Sequence, residues 1–142
     1  MGNRATIEIE DYEQHSLYLQ WNGGKGSVRA FVQEALRRAN VQEDQEIPDD
    51  FIFYLHATIR DYFNFADVPS ERGRDRYSLY VYEGISATHE DNGHYFIRRQ
   101  GTIDYSKVSP YLESAEYTEE SYQDITEFFK KFEATLLEAD AW

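Results

Sequence analysis

The chain predicts an α+β fold: a single domain over residues 1–142, with an antiparallel sheet of about five strands packed against three helices. Three observations carry this. Apolar and polar residues alternate around Ala5, Ile7 and Ile9, and again around Leu17, Leu19 and Trp21, the period of strands with one buried face. In three other stretches apolar residues recur every three or four positions, the period of helices. Hydrophobic residues make up 41% of the chain, and 142 residues suit one domain able to bury roughly 70% of its unfolded surface.

The first strand is expected over residues 4–10, with Thr6, Glu8 and Glu10 opposite the apolar face. Polar residues 11–16 turn the chain into the second strand, making the pair an antiparallel hairpin. Gly23, Gly24 and Gly26 form a turn into the first helix. Ser27 stands at the expected N-cap, and Val28, Phe31, Val32, Ala35, Leu36 and Ala39 form the stripe. Arg37 and Arg38 favour the C-terminal end of that helix near Ala39 or Asn40. Residues 41–50 read as an acidic linker in which Pro48 blocks continuation, and Asp49 or Asp50 caps a second helix. Ile52, Leu55, Ile59, Tyr62 and Phe63 are its stripe, widened by Phe51, Phe53 and Tyr54, with His56 on the surface.

Beyond it, the arginines of residues 70–76 sit in a solvated loop of alternating charge. A strand is expected over 77–82, and an irregular one around Ile85. Asn92-Gly93 reads as a type I′ hairpin turn into a strand over 94–98, and a short edge strand follows Gly101 over 102–105. The last element is a long acidic helix over about 118–140, capped by Thr118. Tyr122, Ile125, Phe129, Phe132 and Leu136 form its stripe, broadened by Phe128 and Leu137. That stripe docks on the domain or on a second copy, the latter a homodimer through the C-terminal helix.

The composition excludes several chemistries. Zero cysteines leave no disulfide framework and no thiolate catalysis. No run reaches the ~20 apolar residues of a membrane span and no signal peptide is read, so a cytoplasmic protein without membrane partners is expected. The glycine turn fails the Walker pattern because Lys25 precedes Gly26, and it lacks the third glycine of a dinucleotide fingerprint. A generic anion on Gly24, Lys25, Gly26 and Ser27 remains the second reading, for a nucleotide or phosphorylated ligand. His89, Glu90, Asp91 and His94 lie close in sequence, but a polar hairpin tip is favoured over a metal site. No cofactor, catalytic residue or nucleophile motif is read, and a non-enzyme is expected.

Charge is the sharpest compositional fact, with a formal net of -13. It disfavours direct contact with nucleic acid, whose phosphates would be repelled. Residues 109–142 hold nine acids against two lysines. Glu120, Asp124 and Glu127 share one helical face, with Lys130 and Lys131 placed to pair with Glu127. Glu43, Asp44 and Glu46 of the linker would widen that face if the two meet. The expected partner is a protein with a basic groove, engaged by the chain as a DNA mimic.

Met1-Gly-Asn-Arg-Ala5, Leu17-Tyr-Leu-Gln-Trp-Asn-Gly-Gly24 with Ser27-Val28, and Asp91-Asn-Gly-His-Tyr-Phe-Ile97 resemble a family of small uncharacterised bacterial and phage proteins. The resemblance covers about the first hundred residues and implies a role in host–phage conflict within the bacterial cell. Together with the charge it gives the expected function: inhibition of a host defence nuclease complex, as anti-CRISPR or antirestriction proteins do.

Overall fold

The computed structural model describes residues 3–12, 15–66, 77–81, 92–108 and 115–140. The elements run β1 (Ala5–Ile9), β2 (His15–Leu19), α1 (Lys25–Arg38), α2 (Phe51–Phe65), β3 (Tyr77–Val81), β4 (Gly93–Ile97), β5 (Ile103–Val108) and α3 (Ala115–Asp140). The arginine-rich loop, the strand expected near Ile85 and the cluster His89, Glu90 and Asp91 lie outside the described residues. Among the described residues no helix is long and apolar enough to cross a membrane.

The fold is α+β, but its sheet is mixed rather than antiparallel. Its order is β3-β2-β1-β4-β5. β1 and β2 form the expected antiparallel pair, Ile7 opposite Leu17, and β2 pairs antiparallel with β3. β4 instead runs parallel to β1, with Ile7 opposite Tyr95 and Ile9 opposite Ile97. Asn92 is the physical reason. It is buried, its backbone N–H donates to the Arg4 carbonyl at 3.0 Å, and its side-chain amide donates to that carbonyl and to Asn3 Oδ1. The start of β4 is thereby tied to the start of β1, so both strands leave in one direction. Asn92-Gly93 is accordingly no β4 hairpin turn. The β4–β5 hairpin closes over residues 98–102, where Arg98 N–H donates to Thr102 O, Gly101 N–H donates to Arg98 O, and Gly101 takes φ +83°.

One apolar cluster unites the sheet and helices. Ala5, Ile7, Ile9, Leu17, Leu19, Tyr95 and Ile97 meet Val28, Phe31, Val32 and Ala35 of α1, Phe51, Ile52, Leu55, Ile59 and Phe63 of α2, and Ile125 and Phe129 of α3. Each Val, Leu, Ile or Phe side chain among them, fully buried, stabilises the fold by about 1.5–3 kcal/mol before ordering costs. The buried Tyr95 hydroxyl donates to Gly23 O at 2.6 Å, which satisfies it inside the core. Phe53, on the widened side of the α2 stripe, is instead exposed.

Helix ends differ from expectation in informative ways. α1 begins at Lys25 with Gly24 as N-cap, and Val28 N–H donates to Gly24 O at 3.0 Å. Ser27 therefore lies buried within the first turn, where its Oγ accepts from Asn22 Nδ2, and is not the cap. The other end closes as a Schellman motif: Asn40 takes φ 56°, its N–H donates to Arg37 O, and Val41 N–H donates to Leu36 O. Asp50 is the N-cap of α2 without a side-chain cap bond. α3 starts at Ala115, so Thr118 is inside the helix rather than capping it. Its carbonyl rests on Gly26, where a Cβ would sit 1.9 Å from Thr118 O. Gly26 thus serves close helix–helix approach.

Substituting Gly26→Ala should force the first turns of α1 and α3 apart. The expected loss is about 1–3 kcal/mol of unfolding free energy, read by urea denaturation.

Candidate functional site

Two surfaces carry polar side chains in quantity: the outward side of α3 and the face of the sheet opposite the apolar cluster. On α3, the acids nearest α1 are neutralised. Glu119 pairs with Arg29 at 3.2 Å and Glu133 with Arg37 at 2.9 Å. Arg29 also stacks over the Tyr122 ring at 3.9 Å, and Tyr122 hydroxyl donates to Gln33. Arg37 and Arg38 both hold Glu34, and Arg38 reaches Asp61 of α2 at 2.8 Å. Burial pushes the Glu34 carboxyl up, but the hydrogen bonds and charges of Arg37 and Arg38 outweigh it and leave the group below its ordinary range. The arginines of α1 therefore act as a strap between the three helices.

Glu120, Asp124 and Glu127 lie on the other side of α3. All three are exposed and form no ion pair among the described residues. Lys130 and Lys131 are also exposed and, contrary to expectation, neither pairs with Glu127. The linker acids turn elsewhere. Arg99, just beyond β4, gathers Asp11, Glu46 and more distantly Asp49, at 3.2 Å to Glu46 and 4.0 Å to Asp49. Glu43 and Asp44 remain exposed. Of the linker acids first grouped with the α3 row, only Glu46 finds an arginine, and no ion pair or hydrogen bond among the described residues joins Glu43, Asp44 or Glu46 to Glu120, Asp124 or Glu127.

The anion reading of the glycine turn fares differently. Gly26 is packed against α3, Ser27 is buried, and Lys25 lies over the Tyr105 ring at 5.8 Å. Close packing accounts for Gly26 and Ser27 without a ligand, whereas Lys25 is exposed.

The second face of the sheet holds a constellation the sequence did not reveal. Thr6 and Glu8 of β1 point there by alternation, as does His94 of β4, whose register partner is Thr6. Thr6 Oγ1 lies 2.7 Å from His94 Nδ1, and His94 Nε2 lies 3.1 Å from Glu8 Oε1. A carboxylate only accepts, so neutral His94 carries its proton on Nε2 and accepts a hydrogen bond from the Thr6 hydroxyl at Nδ1. Thr6 is wholly buried and His94 is 5% exposed. Burial holds the imidazole below its ordinary pKa, aided by Lys107 and opposed by Glu8. His94, expected at a polar hairpin tip, is thus part of the sheet interior. Among the described residues no group of three or more His, Cys, Asp or Glu could hold a metal ion.

A cleft of about 330 Å³ opens over this row, lined by Glu8, His94, Phe96, Arg98, Asp104, Ser106 and Lys107. The signal available in sequence was the alternation of His94, Phe96 and Arg98 with Tyr95 and Ile97. Thr6 and Glu8, however, stand 88 and 86 residues away from His94.

Compared with known proteins, the chain matches no family model, no curated protein and no solved structure.

The lowered pKa of His94 has a signed consequence, which His56 shares because burial and Arg60 lower it too. The unfolded chain takes up protons more readily, so this part of the stability is complete above the unfolded value of 6.5 and is lost as pH falls through the depressed folded value. Tm should fall between roughly pH 7 and pH 5, and His94→Gln should flatten the decline. Calorimetry across that range measures both.

Proposed function

We propose that this chain is a non-enzymatic binding protein whose carboxylate-bearing side of α3 occupies a basic, nucleic-acid-type groove on a protein partner. The observation that carries the reading is the division of labour along α3. Glu119 and Glu133 are tied down by Arg29 and Arg37, while Glu120, Asp124 and Glu127 are exposed and pair with no cation among the described residues. Successive members of that outward row sit roughly 4.5–6 Å apart along the helix axis, sparser than the ~3.4 Å phosphate spacing of one DNA strand. The row is therefore a partial mimic, acting mainly through steering and register.

A formal charge of -13 supports the same reading, since a long-range negative field accelerates encounter with a positive groove. A host defence nuclease complex inside a bacterial cell is the partner class proposed, because it presents such a groove to its nucleic-acid substrate. Binding through the glycine turn draws no support from the packing of Gly26 on Thr118.

The test is a nuclease inhibition assay with defence complexes of several types, titrated with this protein at increasing ionic strength. Inhibition should weaken as salt rises, and the triple variant Glu120→Lys, Asp124→Lys, Glu127→Lys should lose it while keeping its Tm within a few degrees. Undiminished inhibition by the reversed protein would sink the proposal.

A further inference from the structure

The cleft over β1, β4 and β5 lies away from α3 and is independent of the reading above. Its charged groups are arranged unequally. Arg98 is committed: it bonds Asp104 at 2.8 Å and lies over the Phe96 ring at 4.7 Å. Asp104 is held further by the Ser106 backbone N–H at 2.9 Å, the main reason its carboxyl lies below its ordinary range. Lys107 is exposed and makes no ion pair among the described residues. Glu8 has one oxygen at His94 and the other without a hydrogen bond among the described residues. One uncommitted cation and one half-committed carboxylate therefore share the cleft.

Their spacing follows from the ladder. Lys107 stands opposite His94, His94 opposite Thr6, and Glu8 follows Thr6 by two residues on the same face. Two strand spacings separate the backbones of Lys107 and Glu8 laterally by about 10 Å. Two converging side chains and one small molecule span that distance. A further sign of incomplete bonding lies across the ladder from Glu8. Ser16 is wholly buried and its Oγ has no hydrogen-bond partner among the described residues, an uncommon state for a buried hydroxyl.

We propose that this cleft binds a small zwitterion of the free amino-acid type, its carboxylate at Lys107 and its ammonium at Glu8. A zwitterion fits where a simple ion does not. The cleft's own charges balance, Glu8 and Asp104 against Arg98 and Lys107, and the protein's net -13 repels an anion arriving without a compensating positive group. A simple cation would meet Lys107. The ammonium supplies donors to a carboxylate that can only accept, and the carboxylate accepts from the ammonium of Lys107. Phe96 and the stem of Lys107 offer apolar surface to a side chain.

The experiment is a thermal-shift screen of the intact protein with each of the twenty amino acids at millimolar concentration, beside acetate, phosphate and a primary amine, followed by calorimetric titration. At least one amino acid should raise Tm by a few degrees through mass action, while the simple ions do not. Lys107→Ala, at an exposed site, should keep the unliganded Tm within a few degrees at about pH 8, where His94 is neutral with or without Lys107, and weaken binding about tenfold or more. Glu8→Gln should do likewise to affinity, whatever it does to stability. No shift with any amino acid, a shift given equally by acetate or phosphate, or binding that survives Lys107→Ala each overturns the proposal.

Discussion

Parallel alignment of β4 against β1 is the constraint on which the remaining architecture rests. It is set by a short buried contact, Asn92 against Asn3 and Arg4, rather than by either strand's composition. Once β4 enters beside β1, Tyr95 and Ile97 fall on the apolar face and extend the core beyond the β1–β2 hairpin. The same register drops His94 between Thr6 and Glu8 on the opposite face. A shift by one residue would exchange the two faces, placing an aromatic in the polar row and an imidazole in the core. Core formation and the polar row are thus consequences of one pairing.

Helix docking obeys a second requirement, that α3 approach α1 closely. Gly26 permits the contact at one end, and Arg37 closes it at the other through Glu133. Between them Ile125 and Phe129 enter the core, and Tyr122 stacks with Arg29. Because α3 is 26 residues long and α1 only 14, its last turns extend past its neighbour, and Leu136 and Leu137 remain exposed. The stripe expected to run the whole helix is therefore buried only where α1 and α2 exist to cover it. Charge follows the same geometry: acids on the seam side gain arginine partners and acids on the outer side stay solvated.

Local elements were readable because their cause is local. Alternation at Ala5, Ile7 and Ile9 marks a strand with one apolar face, and the three-four spacing of Ile52, Leu55, Ile59 and Phe63 marks one helical face. The turn at Gly101, the closing Asn40 and the exposure of Glu120, Asp124 and Glu127 likewise follow from a few neighbouring residues. Cap positions were less readable. Ser27 and Thr118 are good N-cap residues by type, yet α1 begins two residues before Ser27 and α3 three before Thr118, and packing of Gly26 on Thr118 places both residues inside their first helical turns.

What the sequence determined by itself is the inventory: strands and helices with their buried faces, a strongly negative surface, and no thiol chemistry. Which strand lies beside which, and hence the meeting of Thr6, Glu8 and His94 across nearly ninety residues, was decided only by tertiary structure. The physical reason is that periodicity records which face of an element is buried but not the neighbour that buries it. That choice belongs to sparse, long-range contacts such as Asn92 to Arg4, which leave no periodic trace in the chain.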